Sequence, residues 1–262
     1  MNYKLDGKAI ESFGAHPHIS QEYIALAGAF DMPKRKGTTE YNWGTSIEAF
    51  VGKEDIELDG RTLTIEVCIK GVSTEDYRIK LDSYKSACVS CRKLWTVFGE
   101  FDVVMKEAMN VEEHTDSFIA IVTTKFWQQE YLLQELTVSP TEGIGVLLDG
   151  YNLEKDFGIY IALNKNSKNI AKRIDVSTTL PYTKTQYREA RDITFECVMC
   201  GVDLLELYSK AGQFQALCTR PGLRKLKLAG NELYDLYFKD GMSVKVQSDT
   251  LLKFDLKCRV VT

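Results

Sequence analysis

Four of the seven cysteines stand in two C-x-x-C pairs, Cys88/Cys91 and Cys197/Cys200. Four thiolates at that spacing are the ligand set of a structural zinc. A zinc knuckle needs a tight turn between its cysteines, and Val89-Ser90 and Val198-Met199 supply neither Gly nor Pro. Cys88 and Cys91 instead fall on an apolar helical stripe, while Cys197 and Cys200, three apart in a strand, face opposite sides. Both pairs therefore read as core thiols. His16 and His18 flank Pro17 and could share a metal at i and i+2, but no third ligand stands out, although Asp31 and many other acids exist. With His114, in NVEEHTDS, they read as solvated loop residues. The chain has no H-E-x-x-H, no G-x-x-x-x-G-K-[ST], no G-x-G-x-x-G and no G-x-S-x-G. Its carboxylates are scattered, and none is singled out as half of a glycosidase pair. No catalytic residue, metal or cofactor is assigned, and the chain is not expected to be an enzyme.

A different chemistry is offered by residues 30–44, FDMPKRKGTTEYNWG. Three consecutive cations, Lys34, Arg35 and Lys36, are followed by a glycine and then by Tyr41 and Trp43. The run is short for a nucleic-acid patch. It suits a long hairpin or loop that leaves a sheet, with Tyr41 and Trp43 as anchors on a neighbouring subunit and the cations meeting an acidic face. The corresponding stretch later in the chain, Ser177–Tyr187, is shorter and lacks the basic run; Tyr182 and Tyr187 are its contact candidates.

The elements that carry these residues occur twice. Leu5-Asp6-Gly7 and Phe13-Gly14 recur as Leu148-Asp149-Gly150 and Phe157-Gly158, 143 and 144 positions later. Arg61–Gly71 (RTLTIEVCIKG) recurs as Arg191–Gly201 (RDITFECVMCG), 130 positions later. The order is the same in both copies, which points to a duplication. In each copy a turn leads to a short strand and a polar stretch. A strand of alternating faces follows, with Leu63, Ile65, Val67 and Ile69, or Ile193, Phe195, Cys197 and Met199, on one side. Ser73 or Thr74, and Asp203, are placed to cap a helix. Tyr77, Leu81, Tyr84, Cys88, Cys91 and Trp95 make one helical stripe, and Leu204, Leu207, Ala211, Phe214 and Leu217 another. Further strands are expected around 100–105 and 117–127, and around 223–229, 233–238, 243–248 and 251–261. The expected organisation is residues 1–130, a connector 131–146 containing Pro140, Gly143 and Gly145, and residues 147–262. The class is mainly β (α+β), each unit a sheet with one flanking helix.

The 262 residues are 44% apolar and 27% charged, which excludes a disordered or collagen-like chain. The net charge of −4 argues against a broad nucleic-acid or membrane-binding field. No cationic leader with an apolar core opens the sequence, and no apolar run is long enough to span a bilayer, so synthesis in the cytoplasm with reduced thiols is expected.

The LDG turn with its following Phe-Gly, the arm "apolar-Asp-x-Pro-x-Arg-x-Gly…Trp", and the alternating strand before one helix resemble tail proteins of bacterial viruses. The likeness is to distal tail proteins and, because of the duplication, to baseplate hubs with two tube-like domains. It rests on residues 3–14, 30–44, 61–71, 148–158 and 191–201. It implies two tandem tail-tube-like β-sandwich or barrel domains, each with a hairpin or loop arm. It also implies a virion structural protein of a phage or prophage, made in a bacterial cytoplasm and located in the tail. Its partners would be further copies of itself in a ring (three chains as a pseudo-hexamer, or six), tail tube and tip proteins, and DNA passing through the lumen without specific binding. The alternatives are a carbohydrate- or receptor-binding β-sandwich module and, further off, a zinc-dependent or glycosidic enzyme.

Overall fold

A computed structural model describes residues 2–20, 23–43, 47–141, 143–164, 173–174, 185–186, 191–228 and 233–261. The chain is mainly β, and among the described residues there are two long helices, Thr74–Ser90 and Leu204–Cys218.

Each LDG sequence makes the turn of a two-residue hairpin. Asp6 and Gly7 have φ of 46° and 83°, and Asp149 and Gly150 have 49° and 86°. Positive φ at both positions is the condition for this turn, and Asp-Gly meets it at low cost. The Asp6 carboxylate then accepts from the backbone N–H of Arg92 and Lys93, at 3.0 and 2.8 Å. Asp149 repeats this on Lys225 N–H at 2.7 Å and adds an ion pair to Arg224. The hairpins thereby fix the strands Lys93–Thr96 and Arg224–Lys227 at the far side of each helix.

Both helices start by the same device. Ser73 Oγ accepts from Asp76 N–H, while the Asp76 carboxylate accepts from Val72 N–H at 2.9 Å. Asp203 and Glu206 repeat the exchange, the latter accepting from Val202 N–H at 2.6 Å. Two orphan donors are satisfied at each helix start, and the carboxylates lie at the positive end of the dipole. Tyr77, Leu81, Tyr84 and Cys88 face inward from the first helix, and Leu207, Ala211, Phe214 and Leu217 from the second. The first helix stops earlier than its stripe predicts. Cys91 is its C-cap, still buried, and Trp95 belongs to the next strand and is half-exposed. A spacing of four that crosses a helix end into a strand mimics helical periodicity.

In the first half, Arg61–Lys70 pairs with Ile119–Gln128 along ten positions. Asn110–His114 and Val104–Met105 lie on the outer side of Ile119–Gln128; Ala15–Pro17 and Leu26–Ala27 lie on the outer side of Arg61–Lys70. In the second half, Arg191–Cys200 pairs with Leu251–Val260 along ten positions. Val244–Ser248 lies outside the latter, and Ile159–Asn164 outside the former. Ala15 pairs with Ile69 and Ile159 with Met199, so the register repeats residue for residue. The strand Asn110–His114 takes up what the sequence suggests to be a loop around His114. Residues 129–141 have no regular structure. The buried apolar residues of both halves form one contiguous cluster.

Candidate functional site: a junction and two open edges

The arm of residues 30–44 does not simply leave the sheet; its first part lies on the second half. Met32 and Met242 exchange both backbone hydrogen bonds, at 2.9 and 2.8 Å. Tyr23 N–H donates to Val246 O, and Arg35 N–H to Lys239 O. The Asp31 carboxylate accepts from Val244 N–H at 2.7 Å. Burial raises the Asp31 pKa, opposed by that N–H and by the Arg61 charge. Segment 23–35 is therefore the seat of the second half on the first. Gly241 is what permits the approach: a Cβ there would lie 2.2 Å from Met32 O.

Arg61 locks the other side of the segment. Its buried guanidinium donates to Ala29 O, Asp31 O and Gln128 Oε1, at 2.8, 2.9 and 2.8 Å. It also lies over the Tyr131 ring at 4.6 Å. Phe30, Phe98 and Tyr208 stack between the halves, with ring centroids 5.0–5.6 Å apart. The connector is docked as well: Gln213 Oε1 accepts from Thr137 and Val138 N–H, and Tyr131 OH donates to Gln215.

The three cations of the arm have different fates. Arg35 is buried, with its guanidinium bonded to Phe50 O and to Asp55 O. Burial lowers its pKa. It holds the base of the arm and is not presented to a neighbour. Lys34 is exposed, and Lys36 pairs with Glu57 at 2.6 Å. Beyond them Glu40–Asn42 and Ile47–Ala49 form a two-stranded ribbon. Tyr41 and Trp43 stand on it as an exposed pair, 50% and 62% accessible, with centroids 4.4 Å apart. Trp43 Nε1–H donates to Glu48. The ribbon is pinned to the second half at Glu40, which accepts from Tyr237 OH at 2.5 Å and from Arg259 at 2.5 and 2.9 Å. Burial pushes the Glu40 carboxyl up, but these donors and the Arg259 charge outweigh it and hold the pKa below 4.5. Tyr237 is pushed up to about 12 by burial and by Glu40. Tyr182 and Tyr187 lie outside the described residues.

Of the pairs that suggested metal or redox chemistry, Cys88/Cys91 is packed away, but Cys200, expected as a core thiol, is only half-buried, because it faces the opposite side of its strand from Cys197. Cys88, Cys91 and Cys197 are buried, and burial raises their thiol pKa values to about 11, 12 and 12. His18 faces Glu66 at 3.4 Å and His114 faces Glu112 at 3.3 Å, both near the surface. Among the described residues no group of three His, Cys, Asp or Glu side chains is placed to hold a metal, and no helix is long and apolar enough to cross a membrane.

The outer faces of the two sheets meet in a cleft of about 880 Å³ beneath the 31–34 segment. Within it Lys253 pairs with Glu196 at 2.5 Å, and Lys106 donates to the Thr62 hydroxyl. The Trp127 ring at its edge is packed against Gly60 and capped by Lys106 at 5.0 Å, so it offers no open stacking platform.

No family model matches the chain, and no curated protein matches it. Among solved structures the chain is similar to the Dit protein (gp 19.1) of SPP1, described as a paradigm of the hub adsorption apparatus in phages that infect Gram-positive bacteria. The identity is 11%, over 98% of this chain and 97% of that chain, with a TM-score of 0.31.

Sequence reasoning found the arm but not its attachment. Glu40, Arg61, Tyr237 and Arg259 carry no local signature, because each acts through a partner distant in sequence. One signal was present. Lys106-Glu107-Ala108-Met109-Asn110-Val111 recurs as Lys239-Asp240-Gly241-Met242-Ser243-Val244. The structure places both in the same register, with Val111 opposite Val122 and Val244 opposite Phe254.

Proposed function

We propose that this chain is a structural component of a phage or prophage tail tip, two tandem tube-like domains that assemble into a ring joining tail tube to tip. The observation that supports this reading most is the junction. The halves meet through unlike segments, Tyr23–Arg35 of the first against Lys239–Val246 of the second. Such a contact is heterologous, and repetition of a heterologous contact builds rings when the rotation closes. Three chains would then give six lobes. The exposed Tyr41–Trp43 pair, with Lys34 and Lys36 at the base of the ribbon, is the contact for tube or tip proteins; aromatic anchors of this kind carry interface energy. Cations paired with carboxylates on the sheet faces would let DNA pass without retention, since free lysines facing phosphates bind them. No step of this role requires turnover or a cofactor.

The test is solution mass by light scattering over a concentration series, with negative-stain images of the same sample. A trimer with a central hole and six lobes is expected. A compact monomer at every concentration, unaltered by added tail-tube protein, would overturn the reading.

A further inference from the structure

The first half, the second half and the connector together line a cavity of about 180 Å³. It lies beside the stacked rings of Phe30, Phe98 and Tyr208, next to residues 130–134 of the connector. Gly212 lets the connector come close: a Cβ there would lie 2.2 Å from the Gln134 side chain. The junction uses residues around this space but leaves the space itself unassigned.

Two buried donors open onto it without an acceptor. Arg61 is 6% accessible. Its Nε and Nη1 donate to Gln128, Ala29 O and Asp31 O, and Nη2 donates to nothing. The guanidinium lies over Phe101 and Tyr131, 5.4 and 4.6 Å from the ring centroids. Both rings line this cavity and not the neighbouring cleft. Gln128 is 9% accessible. Its Oε1 is taken by Arg61, and its Nε2 has no acceptor. The partnerless polar atoms that are sealed from solvent are Arg35 Nε, Tyr84 OH and Arg224 Nε. Arg61 Nη2 and Gln128 Nε2 are not among them, so both are reached from the cavity that their side chains line.

Charge points the same way. Among the described residues no carboxylate accepts from Arg61; its acceptors are two carbonyls and an amide, and the Asp31 carboxylate is turned to Val244 N–H. A buried guanidinium without a carboxylate is unfavourable, and a carboxylate matches a guanidinium and an adjacent amide N–H. We infer that this cavity binds a small monocarboxylic acid with an apolar body, its carboxylate on Arg61 Nη2 and Gln128 Nε2 and its body against the aromatic wall. A cavity of about 150 Å³ holds benzene, so this one suits an acid of roughly nine non-hydrogen atoms. The mouth restricts the charge. Glu100 is paired with Lys93, but Asp102 and Glu130 stand exposed beside it. They repel a second negative group. The inference is independent of the ring. A ligand here touches both halves and the connector, and binding should stabilise the whole chain.

The experiment is isothermal titration calorimetry on the full chain. The probes are benzoate and isovalerate, with benzamide as the neutral isostere and phthalate as the dianion. At least one monocarboxylate should bind with a dissociation constant of about a millimolar or lower. Benzamide should bind about tenfold more weakly than benzoate, because it forfeits the charge-assisted bonds. Phthalate should not bind. Gln128→Glu keeps the acceptor for Arg61 Nε, removes the open N–H and puts a carboxylate where that of the ligand would lie. It should abolish binding without lowering the thermal midpoint, and benzoate should raise that midpoint in the wild type alone. If neither acid binds at about ten millimolar, water serves the two donors and the inference falls. Benzamide binding as tightly as benzoate would overturn it, and so would undiminished benzoate binding by a folded Gln128→Glu protein. Should that variant not fold, the ligand series on the wild type decides.

Discussion

Gly241→Ala should separate the two halves without touching the core of either. The added Cβ would lie 2.2 Å from Met32 O, 2.7 Å from Lys34 N and 2.7 Å from Pro33 C. All three are backbone atoms, so no side-chain rotation relieves the clash. Contacts of this kind do not fall below 3.0 Å, so segment 32–34 must retreat by about 0.8 Å. The two Met32–Met242 hydrogen bonds stretch with it, and each contributes about 1 kcal/mol net. The Asp31–Val244 bond is charge-assisted and contributes about 1.5 kcal/mol or more. Partial loss of the three gives about 2–4 kcal/mol. Urea unfolding monitored by fluorescence and by circular dichroism measures it. The expected result is a lower midpoint, and separation of the two signals if one half now melts first. Gly37→Ala is the control. Gly37 has φ of 68° with nothing within 4 Å, so it should lose only the backbone preference, about 1 kcal/mol. A Gly241→Ala protein within about 0.5 kcal/mol of the wild type would refute the seat as described.

Arg61→Met keeps the stem and removes the donors to Ala29 O, Asp31 O and Gln128; a loss of about 3 kcal/mol in urea unfolding is expected. Glu40→Gln should cost about 1–2 kcal/mol at neutral pH. Because the folded pKa of Glu40 is depressed, its contribution is present above 4.5 and is lost as pH falls through the folded value. Stability curves of wild type and variant should therefore converge at acid pH, and a constant gap would exclude the ionic origin. Tyr41→Ser with Trp43→Ser should leave stability within about 0.5 kcal/mol, as both side chains are largely exposed, while weakening capture by tail-tube or tip protein in a pull-down. Thiol titration of the native protein should reach at most Cys68 and Cys200, the two cysteines that are not buried, and all seven after denaturation. Rapid native labelling of Cys88 or Cys197 would contradict the packing assigned to the C-x-x-C pairs.

Much of the fold was legible because it is periodic and local. The alternation of Leu63, Ile65, Val67 and Ile69 gives both the strand and its buried face, and the same holds for Ile193 to Met199. The LDG turns and the caps Ser73 and Asp203 are encoded within a few residues. The edge strand Asn110–His114 was not legible, since its outward positions are polar and its alternation is lost. The arm was half legible. Its composition announced an exposed, aromatic tip, and Tyr41 and Trp43 are exposed. Its charges did not announce that Arg35 turns inward, because the acceptors are backbone carbonyls of Phe50 and Asp55, which no side-chain pattern reports.

The Met109/Met242 correspondence shows why a repeat should be read for its differences. Val244 and Val111 keep the seat apolar in both halves, and Lys106 and Lys239 keep the same entry to it. One position differs in a way the junction depends on: Gly241 admits the Met32 backbone, where a Cβ would lie 2.2 Å from Met32 O, and the first half has Ala108 in its place. A permanent junction needs the closer approach, because two strained backbone hydrogen bonds are worth little and two short ones are worth about 2 kcal/mol. Exchanging the pair, Ala108→Gly with Gly241→Ala, should lower the urea midpoint as far as Gly241→Ala does by itself plus the ordinary cost of a glycine, because the close backbone approach is at Gly241. A double variant as stable as the wild type would show that the joint does not depend on the missing side chain at 241.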